Sequence, residues 1–119
     1  MRDHTSLRAW QHAHEVTLAC GRMARDHWKP WAGAIFQQML RASLSVQLNI
    51  AEGYAVRSAG RTRQHWITAY GSCVETMDCL GLLAELEVIP AGVAERTVQV
   101  ARASSWMLLG LLRSLPIAR

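Results

Sequence analysis

Four polar residues, Arg41, Ser45, Asn49 and Glu52, follow one another at steps of four, four and three, the spacing of one stripe along a helix. They offer a planar cation, a hydroxyl, a two-way amide and a carboxylate. The same stretch carries Met39, Ala42, Val46, Ile50 and Ala51, with Tyr54, mostly at three- and four-residue steps. The stripe therefore rides on a helix with a buried apolar face. Polar groups on a core helix cost free energy unless they are partnered. Three roles are open: a buried hydrogen-bond network that fixes helix register, the lining of a subunit interface or central channel, and a catalytic or small-ligand site. For the last, Glu52 is poor general acid–base equipment, because no second carboxylate or histidine stands at helical spacing from it.

No other chemistry-bearing group forms a recognisable site. The histidines are His4, His12, His14, His27 and His65, with no HExxH and no Glu-x-x-His pair, so neither a zinc nor a di-iron pattern is present. His12 and His14 stand two apart and do not share a helix face. Cys20, Cys73 and Cys79 are odd in number and show no CxxC spacing, which suits reduced, buried thiols. No catalytic, metal-binding or cofactor-binding residue is assigned, and no cofactor is expected. Trp10 and Trp66 fall on predicted core faces. Trp28 and Trp31 flank Pro30, where they either cap the end of the fold or expose an aromatic platform.

The charge has one dense cluster, Arg57, Arg61 and Arg63. Arginines at the start of a helix oppose its macrodipole. Phosphate binding would explain that tension, and an ordinary solvated turn is the alternative. If the basic charge serves RNA, these are the nucleic-acid-binding residues. Twelve of the thirteen basic residues are arginine, Lys29 being the exception, and the net charge is +4. Arginine pairs bidentately with phosphate and carboxylate and stacks on flat rings. That suits an RNA or protein interface, and a GC-rich coding bias would give the same composition.

These residues are positioned by a chain of 119 residues, half of them hydrophobic and only 18% charged, long enough for one domain over 1–119 with a real core. The low charged fraction leaves more apolar surface than one small bundle covers, so a homo-oligomer is expected. The polar start, Met1 to Ser6, lacks an apolar run, so no signal peptide is expected. The longest apolar run, Trp106 to Leu112, is seven residues, too short for a membrane span. A cytoplasmic location without a membrane partner follows as an expectation.

Periodicity and punctuation predict four helices. The first runs from about Ser6 to Asp26, with Thr5 or Ser6 as its cap and Leu7, Trp10, His14, Thr17, Leu18 and Gly21 inward. Trp28-Lys29-Pro30 stops it. The second runs from about Trp31 to Val56 and the third, capped by Ser58, from about Ala59 to Leu86. The third turns Thr62, His65, Trp66, Ala69, Cys73, Thr76, Met77, Leu80 and Leu83 or Ala84 inward. Ile89-Pro90 precedes the fourth, about Ala91 to Ser114. Gly53, Gly71, Gly81 and Gly110 lie inside helices, each costing about 1 kcal/mol relative to alanine, which suggests close helix approach at some of them. No segment alternates as a strand does. Short connections force neighbours antiparallel, so the expected fold is all-α, an up-down-up-down four-helix bundle.

Gln38-Met39, Arg41-Ala42, Ser45-Val46 and the run Asn49-Ile50-Ala51-Glu52-Gly53-Tyr54 resemble the family of 23S rRNA intervening-sequence proteins. Leu7 to Gln11, Arg57-Ser58, and Ala69-Tyr70-Gly71-Ser72 with Glu75 support the resemblance, which covers about Leu7 to Ile89. Gln47 stands where the family usually has proline. Arg61 stands where an acidic residue commonly completes a capping box with Ser58. The resemblance implies a cytosolic, non-enzymatic four-helix bundle that assembles as a ring-shaped homopentamer. Some relatives are encoded inside inserts of 23S rRNA genes. A similar fold serves as the accessory protein of diversity-generating retroelements, where it meets a reverse transcriptase and nucleic acid. RNA or a nucleic-acid-handling protein is thus the implied partner. A protein–protein scaffold with no nucleic-acid role is the alternative.

Overall fold

A computed structural model describes residues 3–117. Its helices are α1 (Arg8–His27), α2 (Gly33–Ala55), α3 (Ala59–Glu85) and α4 (Ala91–Ser114), with 3-10 turns at His4–Ser6 and Pro30–Ala32 and no strand among the described residues. Consecutive helices run antiparallel, and each packs on two neighbours, α4 closing the ring against α1. The expected up-down-up-down four-helix bundle is the architecture observed.

The helix ends have local causes. Trp28 and Lys29 are extended ahead of Pro30, which opens the 3-10 turn leading into α2. Ser58 caps α3, accepting from the Arg61 N–H at 3.4 Å. That length is consistent with a capping box lacking its acidic member. At the far end of α3, Glu87 N–H donates to Ala84 O and Val88 N–H to Leu83 O, both at 2.9 Å. This is a Schellman motif with Glu87, at φ 60°, in the left-handed position that glycine usually fills. It turns Val88 and Ile89 into the core, where they close that end of the bundle. The start of α1 departs from expectation. Neither Thr5 nor Ser6 caps it; Leu7 holds the N-cap position without a side-chain bond. Both the N–H and the hydroxyl of Thr5 donate to the Asp3 carboxylate, which caps the 3-10 turn instead.

A side chain reaches a neighbouring helix backbone at every interface. Thr17 Oγ1 donates to Ser43 O at 3.1 Å between α1 and α2. Thr62 Oγ1 donates to Gly53 O at 2.8 Å between α2 and α3. Cys73 Sγ donates to Ala101 O at 3.0 Å between α3 and α4. Ser104 Oγ donates to Ala9 O at 2.9 Å between α4 and α1. Such bonds require close backbones, and small core residues such as Ala9, Ala13, Ala69, Ala94 and Ala101 permit them. Phe36, Met39, Ile50, Leu80, Leu83 and Leu108 fill the remaining space.

Several expectations are corrected here. The buried face of α1 is Ala9, Ala13, Val16, Cys20, Met23 and Ala24. Leu18 and Gly21 are exposed, and Leu7, Trp10, His14 and Thr17 flank the core. Tyr54 is also exposed rather than inward. Of Gly53, Gly71, Gly81 and Gly110, only Gly53 marks a close approach. A Cβ there would lie 2.5 Å from Trp66 Nε1 and 2.6 Å from Trp66 Cδ1, whereas one at Gly71, Gly81 or Gly110 would meet nothing within 4 Å. The thiols are free. Burial pushes Cys20 up to about 12 and Cys73 to about 11, and also raises Cys79, so all three stay protonated and inert near neutrality.

The glycines yield a contrast. Gly53→Ala should destabilise the bundle by about 2–3 kcal/mol, because the Trp66 ring must shift. Gly71→Ala, on the exposed face of α3, should stabilise it by about 0.5–1 kcal/mol. Urea melts of the two variants check this; a Gly53→Ala curve overlying the wild type would show that the α2–α3 contact yields without cost.

Candidate functional site

The polar stripe of α2 lies along the outer seam with α3, and its members do not share one environment. Ser45 and Asn49 are half-buried, while Arg41 and Glu52 are exposed. Ser45 Oγ and Ser72 Oγ lie 2.8 Å apart across the seam. Asn49 Nδ2 donates back to Ser45 O at 2.9 Å and to Ser45 Oγ at 3.2 Å. That orientation turns Asn49 Oδ1 towards α3, where His65 Nδ1 stands at 2.9 Å. An amide oxygen only accepts, so Nδ1 is the protonated ring nitrogen. Glu52 Oε2 is 3.6 Å from the same Nδ1. Further along, Gln38 Nε2 donates to Glu75 Oε2 at 2.9 Å. Arg41 enters none of these bonds.

Beside this network is a shallow groove of roughly 350 Å³ lined by Asn49, Arg61, Gln64, His65 and Thr68. The histidine that Glu52 lacked along α2 comes from α3, so spacing within one helix could not reveal it. The two residues do not make a nucleophile–base pair with Ser45. That hydroxyl is engaged with Ser72 and Asn49, and the imidazole with Asn49. The arrangement ties α2 to α3 through polar groups that keep each other satisfied. A larger concavity of roughly 550 Å³ opens between α1 and α4, away from the stripe, with Val16 and Val100 on its floor. It is an open trough, and Glu15, Arg22 and Arg96 along it form no ion pair with one another.

The arginine cluster diverges. Arg57 is exposed in the turn after α2. Arg61 borders the groove beside His65. Arg63 is half-buried on another side of α3, donating to Pro116 O at 2.6 Å, and shares a surface with Arg113, Leu112 and Leu115. This reach eases the helix-start conflict. In an antiparallel bundle, α2 and α4 both end beside the start of α3, and their carbonyl termini favour cations.

Charge is distributed unevenly along the bundle. Arg8, Arg57, Arg61, Arg63 and Arg113 gather where α2 and α4 end and α1 and α3 begin, with Asp3 and Glu52 as the acids there. Asp26, Glu75, Asp78, Glu85, Glu87 and Glu95 occupy the opposite half, together with Arg22, Arg25, Lys29, Arg41 and Arg96, while Glu15 and Arg102 lie nearer the middle. Arg25 is paired with Asp26 at 2.8 Å.

Two aromatic side chains stand out on the surface, Trp31 and Trp106, each 67% exposed. Trp28 stacks on Phe36 with ring centroids 5.2 Å apart and also covers Gly33, so it caps the bundle end. Trp31 projects from the same connection into solvent. Among the described residues, no group of three or more His, Cys, Asp or Glu side chains could hold a metal ion, and no helix is long and apolar enough to cross a membrane.

The family model described as 23S rRNA-intervening sequence protein matches residues 5–110. Comparison with curated proteins finds no match.

The network generates a test of its own. Asn49→Ala should destabilise the protein by about 1–2 kcal/mol, since it strips partners from half-buried groups on both helices. Combined with His65→Ala in a double-mutant cycle, it should show coupling of at least about 0.5 kcal/mol. Additive effects in urea melts would mean that the two side chains do not act together.

Proposed function

The chain belongs to the 23S rRNA-intervening sequence protein family, and from that premise we propose a non-enzymatic, oligomeric bundle of the cytoplasm that associates with RNA or a ribonucleoprotein through a basic surface. One observation supports the reading above others: five arginines gather at one end of the bundle with only Asp3 and Glu52 as acids beside them. Asp3 is occupied in holding Thr5. A phosphate backbone meets such a surface by releasing counterions, without reading sequence. The α2–α3 seam supports a structural role for the polar stripe, because its hydrogen bonds run between its own members. The groove beside it lacks a hydroxyl or thiol held against a base.

Arg57, Arg61 and Arg63 are the residues we assign to phosphate. The triple alanine variant should keep its helical spectrum while losing RNA affinity and flattening the salt dependence, by about 0.7 in log–log slope for each single-strand phosphate no longer neutralised. Fluorescence anisotropy across a salt series reads both. Wild-type protein that binds no RNA at low salt would overturn the nucleic-acid reading in favour of the protein scaffold.

Self-association is supported by apolar side chains facing away from the core. Leu44 and Leu48 on α2, and Ile67 and Val74 on α3, are each close to half exposed. Leu44 and Leu48 are neighbours on one face of α2, and exposed apolar side chains of this kind mark interfaces. The resemblance to ring-forming relatives makes a homopentamer the expected assembly. Sedimentation equilibrium should show an oligomer at micromolar concentration, and Leu44→Glu with Leu48→Glu should reduce it to monomer with the helical spectrum retained. A wild-type monomer would sink the proposal.

A further inference from the structure

Trp106 stands on the outer face of α4, 67% exposed. On a helix its surface neighbours lie three, four and seven residues away: Ala103 and Leu109, Arg102 and Gly110, then Gln99 and Arg113. Leu109 is half-buried and turns towards the surface it shares with Arg63 and Arg113. Ala103 and Gly110 are too small to cover the indole, and Arg102 and Arg113 set a cation on either side along the helix. Gly110 has no packing reason to be glycine, since a Cβ there would meet nothing within 4 Å. In a helix it costs about 1 kcal/mol relative to alanine, and it leaves one flank of the ring open.

The surroundings are mostly basic, the nearest acid being Glu15, which lines the α1–α4 trough with Gln99 and Ala103. No Asp or Glu occurs from Arg96 to the end of the chain. The half of α3 packed beside this part of α4, Ala59 to Val74, has none, and neither has α1 from Arg8 to His14. The bonds Cys73–Ala101, Arg63–Pro116 and Ser104–Ala9 put those segments side by side. No other aromatic ring stacks on Trp106 among the described residues. An exposed indole on a helix that carries an arginine to either side of it suits a base with phosphates on either side.

We infer that Trp106, with Arg102 and Arg113, forms a stacking site for single-stranded nucleic acid, the indole taking a base and the two arginines the flanking phosphates. The inference rests on the nucleic-acid reading above and adds a second contact surface, on α4, to the one at the α2–α3 turn.

The test uses a fluorescein-labelled twelve-nucleotide oligouridylate and a duplex RNA of equal length, with anisotropy read over a range of salt. Trp106→Ala should weaken oligouridylate binding by about 5- to 100-fold and leave the salt slope unchanged, and Trp106→Phe should retain most of the affinity. Gly110→Leu, which covers the ring without removing it, should weaken binding similarly. Arg102→Ala with Arg113→Ala should lower both the affinity and the slope, by about 1.4 in slope for two phosphates. Duplex should bind more weakly than oligouridylate, because its bases are already stacked. Unchanged oligouridylate affinity in Trp106→Ala would overturn the site. So would dissociation of the assembly by that substitution in sedimentation, which would make Trp106 a subunit contact. If the Arg57, Arg61 and Arg63 triple variant loses binding while Trp106→Ala does not, the general reading stands and this one fails. If the wild type binds neither probe, both fail.

Discussion

The bundle is organised around the indole of Trp66 lying over the bare Cα of Gly53. This contact sets the distance between α2 and α3, because any side chain at Gly53 would overlap the ring. Once the helices are that close, Trp66 Nε1 donates to Ile50 O at 3.3 Å and Thr62 Oγ1 reaches Gly53 O. The outer seam then falls into register, with Ser45 opposite Ser72 and Asn49 opposite His65. The run Asn49-Ile50-Ala51-Glu52-Gly53 thus has a physical meaning. Asn49 spans the seam, Ile50 fills the core and lends its carbonyl, and Gly53 admits the tryptophan.

Much of this was legible in the sequence, for identifiable reasons. Pro30, Ser58 and Pro90 sit at helix boundaries, so α2, α3 and α4 begin within a residue or two of their predicted starts. The inward face of α3 was legible because Trp66, Leu80 and Leu83 are large and well spaced. The face of α1 was not. Half of its core side is alanine, the rest being Val16, Cys20 and Met23, and conspicuous Trp10 and Leu18 pulled the expected face round by a fraction of a turn. Alanine gives little signal in a hydrophobic pattern, yet it is what lets α4 approach closely enough for Ser104 to reach Ala9 O. The cap of α1 was misplaced because Asp3 competes for the groups of Thr5.

The site was legible only in part, because its geometry crosses between helices. Spacing along α2 groups Arg41, Ser45, Asn49 and Glu52, but only Ser45 and Asn49 enter the hydrogen bonds of the seam. His65 and Ser72, which complete it, lie on the next helix. Likewise Arg57, Arg61 and Arg63 are neighbours in sequence yet leave α3 in different directions, Arg63 towards Pro116 and Arg61 towards the groove. The uneven charge emerges only after folding, when antiparallel packing brings Arg8 and Arg113 to the end that holds the turn.

The α4–α1 interface joins the two ends of the chain: Ser104 and Ala9 are 95 residues apart in sequence, whereas the α2–α3 bonds span 9 to 37 residues. Loop closure costs more entropy as the enclosed chain lengthens, and contacts between distant residues slow folding. The α2–α3 hairpin therefore has the lowest entropic barrier to formation, and the α4–α1 seam closes last. During synthesis, α1 precedes the other three helices; α2 follows it directly and packs on one side, while the side that meets α4 is covered last. The small alanine side chains of its inner face suit that interval, since they show water far less sticky surface than leucines would. A face built for tight packing in the finished bundle is also one that can stay uncovered while the rest of the chain is made.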